Sequence, residues 1–484
     1  MKKRFTLLLS VFAILLYLGG CDKGSLKSNT APDTKIALES INLNGQFRLN
    51  SVVALSWFGT DIDGYITGYD ISFDAQNWTY TEKLDSTFRF SIPAGSDTID
   101  ITFYVRAIDD NGNTDPTPAS LRIPLKNSIP TGTFDEANLP GDTALAVTTY
   151  RWFGSDPDGD ETIVEAEMRW NNGNWYSIDP YQALITFVAD TNGTGTAQVF
   201  YANDKNAQPT SIDGLNLNAD NILYLRVKDI AGATSIIDTA SEVFIKKPNA
   251  NFLVICGQPN SVSEIYRPIL NDIGQAYDFI DFAKTNGQNK PINQPKFWSP
   301  TFRHMLMLYK KAFIYTDATL YNNPASGQSA LLLAFMGQGV QQFTDAGRKV
   351  LVSTQFSNNA AIDMSSVNGI YPIDGIVTSG GQVRISNDST IYPVVAGSQY
   401  ISLKPKNILI GLYPIVKSAD AEDFYRAKLT KLSGWQGDNL VGVRRKFNGN
   451  VSHVFFGLGL YQFNKTTADL KDLMEEILVN DFNW

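Results

Sequence analysis

Apolar and polar residues alternate with a period of two through the first half of the chain. Near residue 248 the pattern changes. The segments "VVALSWF", "GYDISFD" and "DITFYVRAID" alternate in this way, with turn signals at Asp63-Gly64 and Asn111-Gly112. Side chains on a strand point alternately to its two faces, so this spacing predicts half-buried strands of a sheet with one wet side. In "TIVEAEMRW" it puts Val164, Ala166, Met168 and Trp170 on one face and Glu165, Glu167 and Arg169 on the other. After Lys246-Lys247-Pro248-Asn249 the strands become continuous apolar runs: "FLVICG", "KAFIYTD", "RKVLVST" and "VSHVFFGLGLYQF". Between them lie helical spacings. Ile265, Ile269, Ile273 and Tyr277 recur every four residues behind a capping-box pair, Ser261 and Glu264. "SGQSALLLAFMGQGVQQFTDAG" reads as a helix stopped by glycine, and "KTTADLKDLMEEILVNDF" as a closing amphipathic helix. Strands apolar on both faces, alternating with helices, predict an α/β domain with a mainly parallel sheet covered on both sides.

The first half is duplicated. Trp57 to Trp78 reads "WFGTDIDGYITGYDISFDAQNW" and Trp152 to Trp175 reads "WFGSDPDGDETIVEAEMRWNNGNW". "YVRAIDDNGNTDPTPASLRI" is likewise repeated as "YLRVKDIAGATSIIDTASEVFI". Self-similarity of this kind marks tandem modules. We divide the chain into residues 1–20, 21–33, 34–126, 127–247 (with an insertion around 178–220, in which "DTNGTGTAQ" and "ANDKNAQPTSIDG" read as loops) and 248–484. About seven short strands per module, without helical spacing, predict two all-β sandwiches. These stretches resemble fibronectin type III or Ig-like modules of secreted bacterial proteins, which implies spacing, presentation or binding.

The N-terminus carries an address. Lys2, Lys3 and Arg4 precede the apolar run "FTLLLSVFAILLYLGG", which ends at Cys21. A basic head, a short apolar core and small residues before the cleavage point predict a signal peptide over residues 1–20. Leu18-Gly19-Gly20-Cys21 resembles the bacterial lipobox. That resemblance implies a diacylglyceryl thioether on Cys21 and N-acylation by a chain such as palmitate. The expected location is the bacterial cell envelope, anchored by lipid to a membrane, with the outer membrane preferred. Residues 22–33 read as a flexible tether. Removing residues 1–20 leaves 37 basic against 49 acidic residues, or −12, a balance that argues against nucleic acid as a partner. With Cys21 lipidated only Cys256 remains, and it sits in an apolar run as an expected buried, inert thiol.

Three readings of chemistry remain. Asp156, Asp158 and Asp160 alternate as in a calcium loop, but Glu161 stands where an EF-hand needs glycine, and Glu167 lies along a strand. We expect a structural turn in both copies, with Gly64 and Gly159 at positive φ. A weaker interdomain calcium site on Asp156, Asp158 and Asp160 is the alternative, and no other cofactor is expected. The second half, through "FLVICG", "FTDAGRKVLVSTQ" and "GNVSHVFFGLGLYQF", resembles the class I glutamine amidotransferase-like superfamily. Active members carry a cysteine in a tight strand-to-helix turn, with a histidine and an acid later. Here Ser353-Thr354-Gln355-Phe356 occupies that turn, no nucleophile elbow is present, and the chain has only His304 and His453. Ser353 and His453 are the sole candidate pair. The expected function is therefore a non-enzymatic binding or scaffold lipoprotein with a protein or glycan partner in the envelope. Alternatives are a glycan-binding lipoprotein of a nutrient-uptake system, using its eight Trp and 21 Tyr, and a divergent hydrolase or amidase.

Overall fold

The computed structural model describes residues 29–38, 48–287, 292–323, 326–356, 364–377, 383–395, 399–432 and 434–482. The signal peptide, Cys21 and most of the tether lie outside the described residues. Among the described residues no helix is long and apolar enough to cross a membrane. The chain forms two compact units. One runs to Ile129 and adds Asp156–Thr162 and Ile230–Ala233; the other comprises Pro130–Ser155, Ile163–Asp229 and Thr234 onward.

The first unit is a seven-stranded β-sandwich. Asp33–Leu38, Val52–Thr60 and Asp85–Arg89 form one antiparallel sheet. Thr79–Thr81, Ile66–Ser72, Thr98–Asp109 and Ala119–Lys126 form the other. The period of two sends Val53, Leu55 and Trp57 inward from one sheet to meet Phe103, Val105 and Ala107 from the other. The Trp57 and Phe103 rings sit 5.5 Å apart in that core.

The second unit holds a second sandwich. Ile163–Trp170 and Leu223–Asp229 pair at the heart of a four-stranded sheet. Facing it is a five-stranded sheet ordered Ser211–Asp213, Thr196–Tyr201, Leu184–Ala189, Val147–Ser155, Thr131–Phe134. The insertion therefore contributes strands that widen this sheet by antiparallel hairpins, and 190–195 and 202–210, within the stretches expected as loops, connect them. The expected facing also shifts at one residue. A β-bulge between Ile163 and Glu165 turns Ile163 inward and leaves Val164 48% exposed. The extra residue of a bulge reverses the side-chain alternation, which a strict period-two reading does not see. The first copy carries a matching irregularity between Ile66 and Gly68.

The α/β part is built on an eight-stranded sheet. Asp278–Asp281, Phe252–Cys256, Lys311–Asp317, Lys349–Gln355 and Asn450–Phe456 are adjacent and parallel. Leu440–Phe447, Ala421–Ala427 and Ile391–Pro393 continue the sheet antiparallel. The sheet is thus mixed, with four of its seven pairings parallel and three antiparallel. Helices Asn260–Asp272 and Thr467–Glu475 cover one face through Tyr266, Ile269, Leu470 and Leu473. Leu332–Asp345 covers the other through Met336, Val340 and Phe343. Gly347 at φ +74° ends that helix as its sequence predicts. The first helix departs from expectation at both ends. Pro259 occupies its N-cap with no side-chain cap bond, so the Ser261–Glu264 box does not form, and the helix stops at Asp272, before Ile273 and Tyr277.

Candidate functional site

Ser353 and His453 are both buried, at 1% and 0% exposure, and they do not meet. In the parallel register His453 lies opposite Val350, and Ser353 lies opposite Phe456. Three residues separate the two positions, about 10 Å along a strand, and an odd offset puts them on opposite faces of the sheet. The Ser353 hydroxyl is fully engaged on the face of helix Asn260–Asp272. It donates to Leu458 O at 3.1 Å and accepts from Leu460 N at 3.0 Å, with Tyr266 Oη at 3.4 Å. It holds the turn after strand Asn450–Phe456 and is a structural hydroxyl. His453 faces the other layer, edge-on to Tyr371 with ring centroids 5.7 Å apart. Neither of its ring nitrogens has a partner. Burial, reinforced by the Arg445 charge, pushes its pKa down to about 3.

The remaining titratable candidates are also packed away. His304 stacks on Phe200 at 4.1 Å, and the Arg303 guanidinium lies 3.2 Å from its Nε2. Burial and that charge hold its pKa at about 4. Cys256 is fully buried, its Sγ donating to Gln258 O at 3.0 Å, and burial raises the thiol pKa.

The aspartates of the second copy form a hydrogen-bonded turn within the first unit. Asp156 accepts from Asp158 N and Thr162 Oγ1, both at 2.8 Å, and Asp160 accepts from Asp156 N at 3.0 Å. Asp158, 2% exposed, accepts from Ser128 N at 2.8 Å and from the Ser51 hydroxyl. Among the described residues no group of three His, Cys, Asp or Glu is placed to hold a metal ion. Gly159 adopts φ +126° as expected. Gly64 does not take positive φ. A Cβ there would meet carboxylate oxygens of Asp110 and Asp61.

Of the tryptophans among the described residues, Trp57, Trp152, Trp170, Trp298 and Trp435 are buried core. Trp78 and Trp175 are half-buried under arginines, Arg106 at 4.2 Å and Arg226 at 4.3 Å. Each arginine also pairs with a carboxylate on the neighbouring strand, Asp70 or Glu167. The duplication thus extends to a Trp–Arg–carboxylate stack, and the tryptophans among the described residues are committed, while Tyr181 in the loop after Trp175 is 76% exposed.

A cavity in the second unit, where the second sandwich meets the α/β layer, encloses about 620 Å³. Its floor is the edge strand Asp278–Asp281 with Phe279 and Phe282. Its walls come from Thr143–Leu145 and the segment Asn293–Phe297. Two amides pin that segment: Asn293 Nδ2 donates to Asp281 O at 2.7 Å and Gln294 Nε2 to Phe282 O at 3.0 Å. The sandwich wall is fixed by Thr301 Oγ1 donating to Thr149 Oγ1 at 2.7 Å. Lys246, Arg267, Lys284 and Lys296 also line the space; histidine, cysteine and serine are absent from its lining. No periodicity marks these residues. Lys246 reads in sequence as a module boundary, and the walls are drawn from segments more than a hundred residues apart.

The chain is thus a pair of tandem β-sandwiches followed by a three-layer α/β/α domain. No family model and no curated protein matches it. Solved structures resemble its β-sandwich portion. The PKD1 domain of Vibrio anguillarum Epp is 18% identical, covering 20% of this chain and 98% of its own, at a TM-score of 0.15. Clostridium thermocellum CbhA fibronectin(III)-like modules are 10% identical over 44% of this chain and 94% of their own, at 0.18. A two-domain fibronectin type III segment of chicken tenascin is 10% identical over 44% and 99%, at 0.22. At these scores the likenesses add nothing to the sandwich topology read from the strand pairings.

Proposed function

We propose that this protein is a lipid-anchored binding protein of the bacterial cell envelope, with no catalytic role for its amidotransferase-like α/β domain. In this reading the tandem fibronectin-like sandwiches stand between a lipidated Cys21 and the α/β domain, and the cavity at the second sandwich is the binding site. One observation carries it: the cavity offers apolar walls, amides, threonines and four cations around a single carboxylate, Asp281, and no serine, cysteine or histidine among the described residues lining it. The superfamily's catalytic turn supports the same reading, since Ser353 is spent on backbone groups and His453 lies on the far face of the sheet.

Two measurements test it. Mass spectrometry of the mature protein is expected to find acylated Cys21, and Cys21→Ser to release the protein from membranes; an unmodified mature Cys21 refutes the anchor. Screening against esters, amides and glutamine is expected to give no turnover. Turnover abolished by Ser353→Ala or His453→Ala refutes the non-enzymatic reading.

A further inference from the structure

Resting on the reading of the cavity as a binding site, we infer that its ligand is an amphipathic organic anion. Its acid group meets Arg267 and the surrounding lysines, and its apolar body lies over Phe279 and Phe282.

The charge distribution points to the anion. The whole chain carries a net charge of −9, yet four cations and one carboxylate, Asp281, line this cavity. Elsewhere the arginines are largely spoken for: Arg106, Arg151, Arg226, Arg426, Arg444 and Arg445 each pair with an acidic side chain. Among the described residues Lys246, Arg267, Lys284 and Lys296 have no ion-pair partner, and Asp281 already accepts from Ala283 N at 2.9 Å. Like charges gathered in a concave site repel one another and raise the local concentration of an anion. Arg267 is also pre-positioned. Its guanidinium lies 4.4 Å over the Phe279 ring, which fixes its plane and leaves its N–H edges free for a carboxylate or phosphate. Arg267 and Lys284 are exposed at the rim, while Lys246 and Lys296 are half-buried.

The volume lies inside the range of sites that enclose small organic ligands.

Calorimetric titration of the full chain with two probes separates charge from shape: 2-naphthoate and its uncharged carboxamide. 2-Naphthoate is expected to bind below about 1 mM, with the carboxamide weaker by about tenfold or more. Arg267→Gln and Lys284→Gln, both at exposed positions, are expected to weaken the anion by about tenfold and leave the carboxamide unchanged. Unaltered near-UV circular dichroism controls for folding. Equal affinity for acid and carboxamide, unmoved by Arg267→Gln, overturns the anion inference while the cavity remains a binding site. Binding of neither probe overturns the cavity reading as well.

Discussion

His304 and His453 are the chain's two histidines, and both are buried neutral. Their folded pKa values lie below the ordinary 6.5, so the unfolded chain binds more protons at mildly acid pH. Their contribution is complete above pH 6.5 and is lost as pH falls, until about pH 4 for His304 and about pH 3 for His453. Each group adds a slope of roughly 1.4 kcal/mol per pH unit inside its window. Denaturant unfolding of the second unit is expected to weaken between pH 6.5 and pH 5, with His453→Leu reducing that loss by about 2 kcal/mol. An unchanged pH slope in this variant refutes the assignment. Asp158 provides a second residue-scale test. Asp158→Ala strands the Ser128 N–H and the Ser51 hydroxyl, and is expected to destabilise the first unit by about 2 kcal/mol. The melting temperature of the wild-type chain is expected not to move with sub-millimolar calcium. A calcium-dependent rise lost in Asp158→Asn refutes the purely structural turn.

At the scale of elements, the strand-rich insertion joins the sandwich to the α/β layer. The turn after strand Thr196–Tyr201 offers the carbonyls of Asn203 and Asp204 to Arg303 Nη1 and Nη2, at 2.9 and 2.6 Å. Arg303 is 4% exposed, so Arg303→Ala removes a buried two-pronged donor. It is expected to cost the second unit about 2–3 kcal/mol in urea unfolding and leave the first unit's transition in place. An unchanged midpoint for the second unit refutes a joining role for Arg303. The sequence shows turn signals at both ends of this region. It does not show that the segment between them pairs as hairpins. Strand type depends on which neighbour supplies the hydrogen bonds, and for Thr196–Tyr201 that neighbour is Leu184–Ala189.

At the scale of the molecule, the two compact units do not follow the boundaries of the three modules. Val147 of the second sandwich sits in the same apolar cluster as Phe302, Leu332 and Phe455 of the α/β layer. Residues 130–484 are therefore expected to fold alone. Residues 248–484 are expected to lack a cooperative thermal transition and to be cut rapidly by protease, because their face for the sandwich is stripped. A protease-resistant 248–484 fragment with native near-UV circular dichroism refutes this.

The sequence by itself determined the local grammar: the period-two strands around Trp57 and Trp152, the duplicated module, the apolar parallel strands Phe252–Cys256, Lys311–Asp317 and Lys349–Gln355, and the glycine stop at Gly347. These are short-range consequences of side-chain alternation and backbone preference. The antiparallel half of the large sheet was not legible. Ala421–Ala427 and Leu440–Phe447 carry Glu422, Arg444 and Lys446, whose charges break the apolar run and are paired only across the finished strands. The candidate site was less legible still. Which face of the sheet receives Ser353 and which receives His453 depends on the register of two strands about a hundred residues apart. The cavity depends on a sandwich edge, a sheet edge and a loop arriving together. Only tertiary packing decides such meetings, because burial rewards total apolar contact and records no sequence distance.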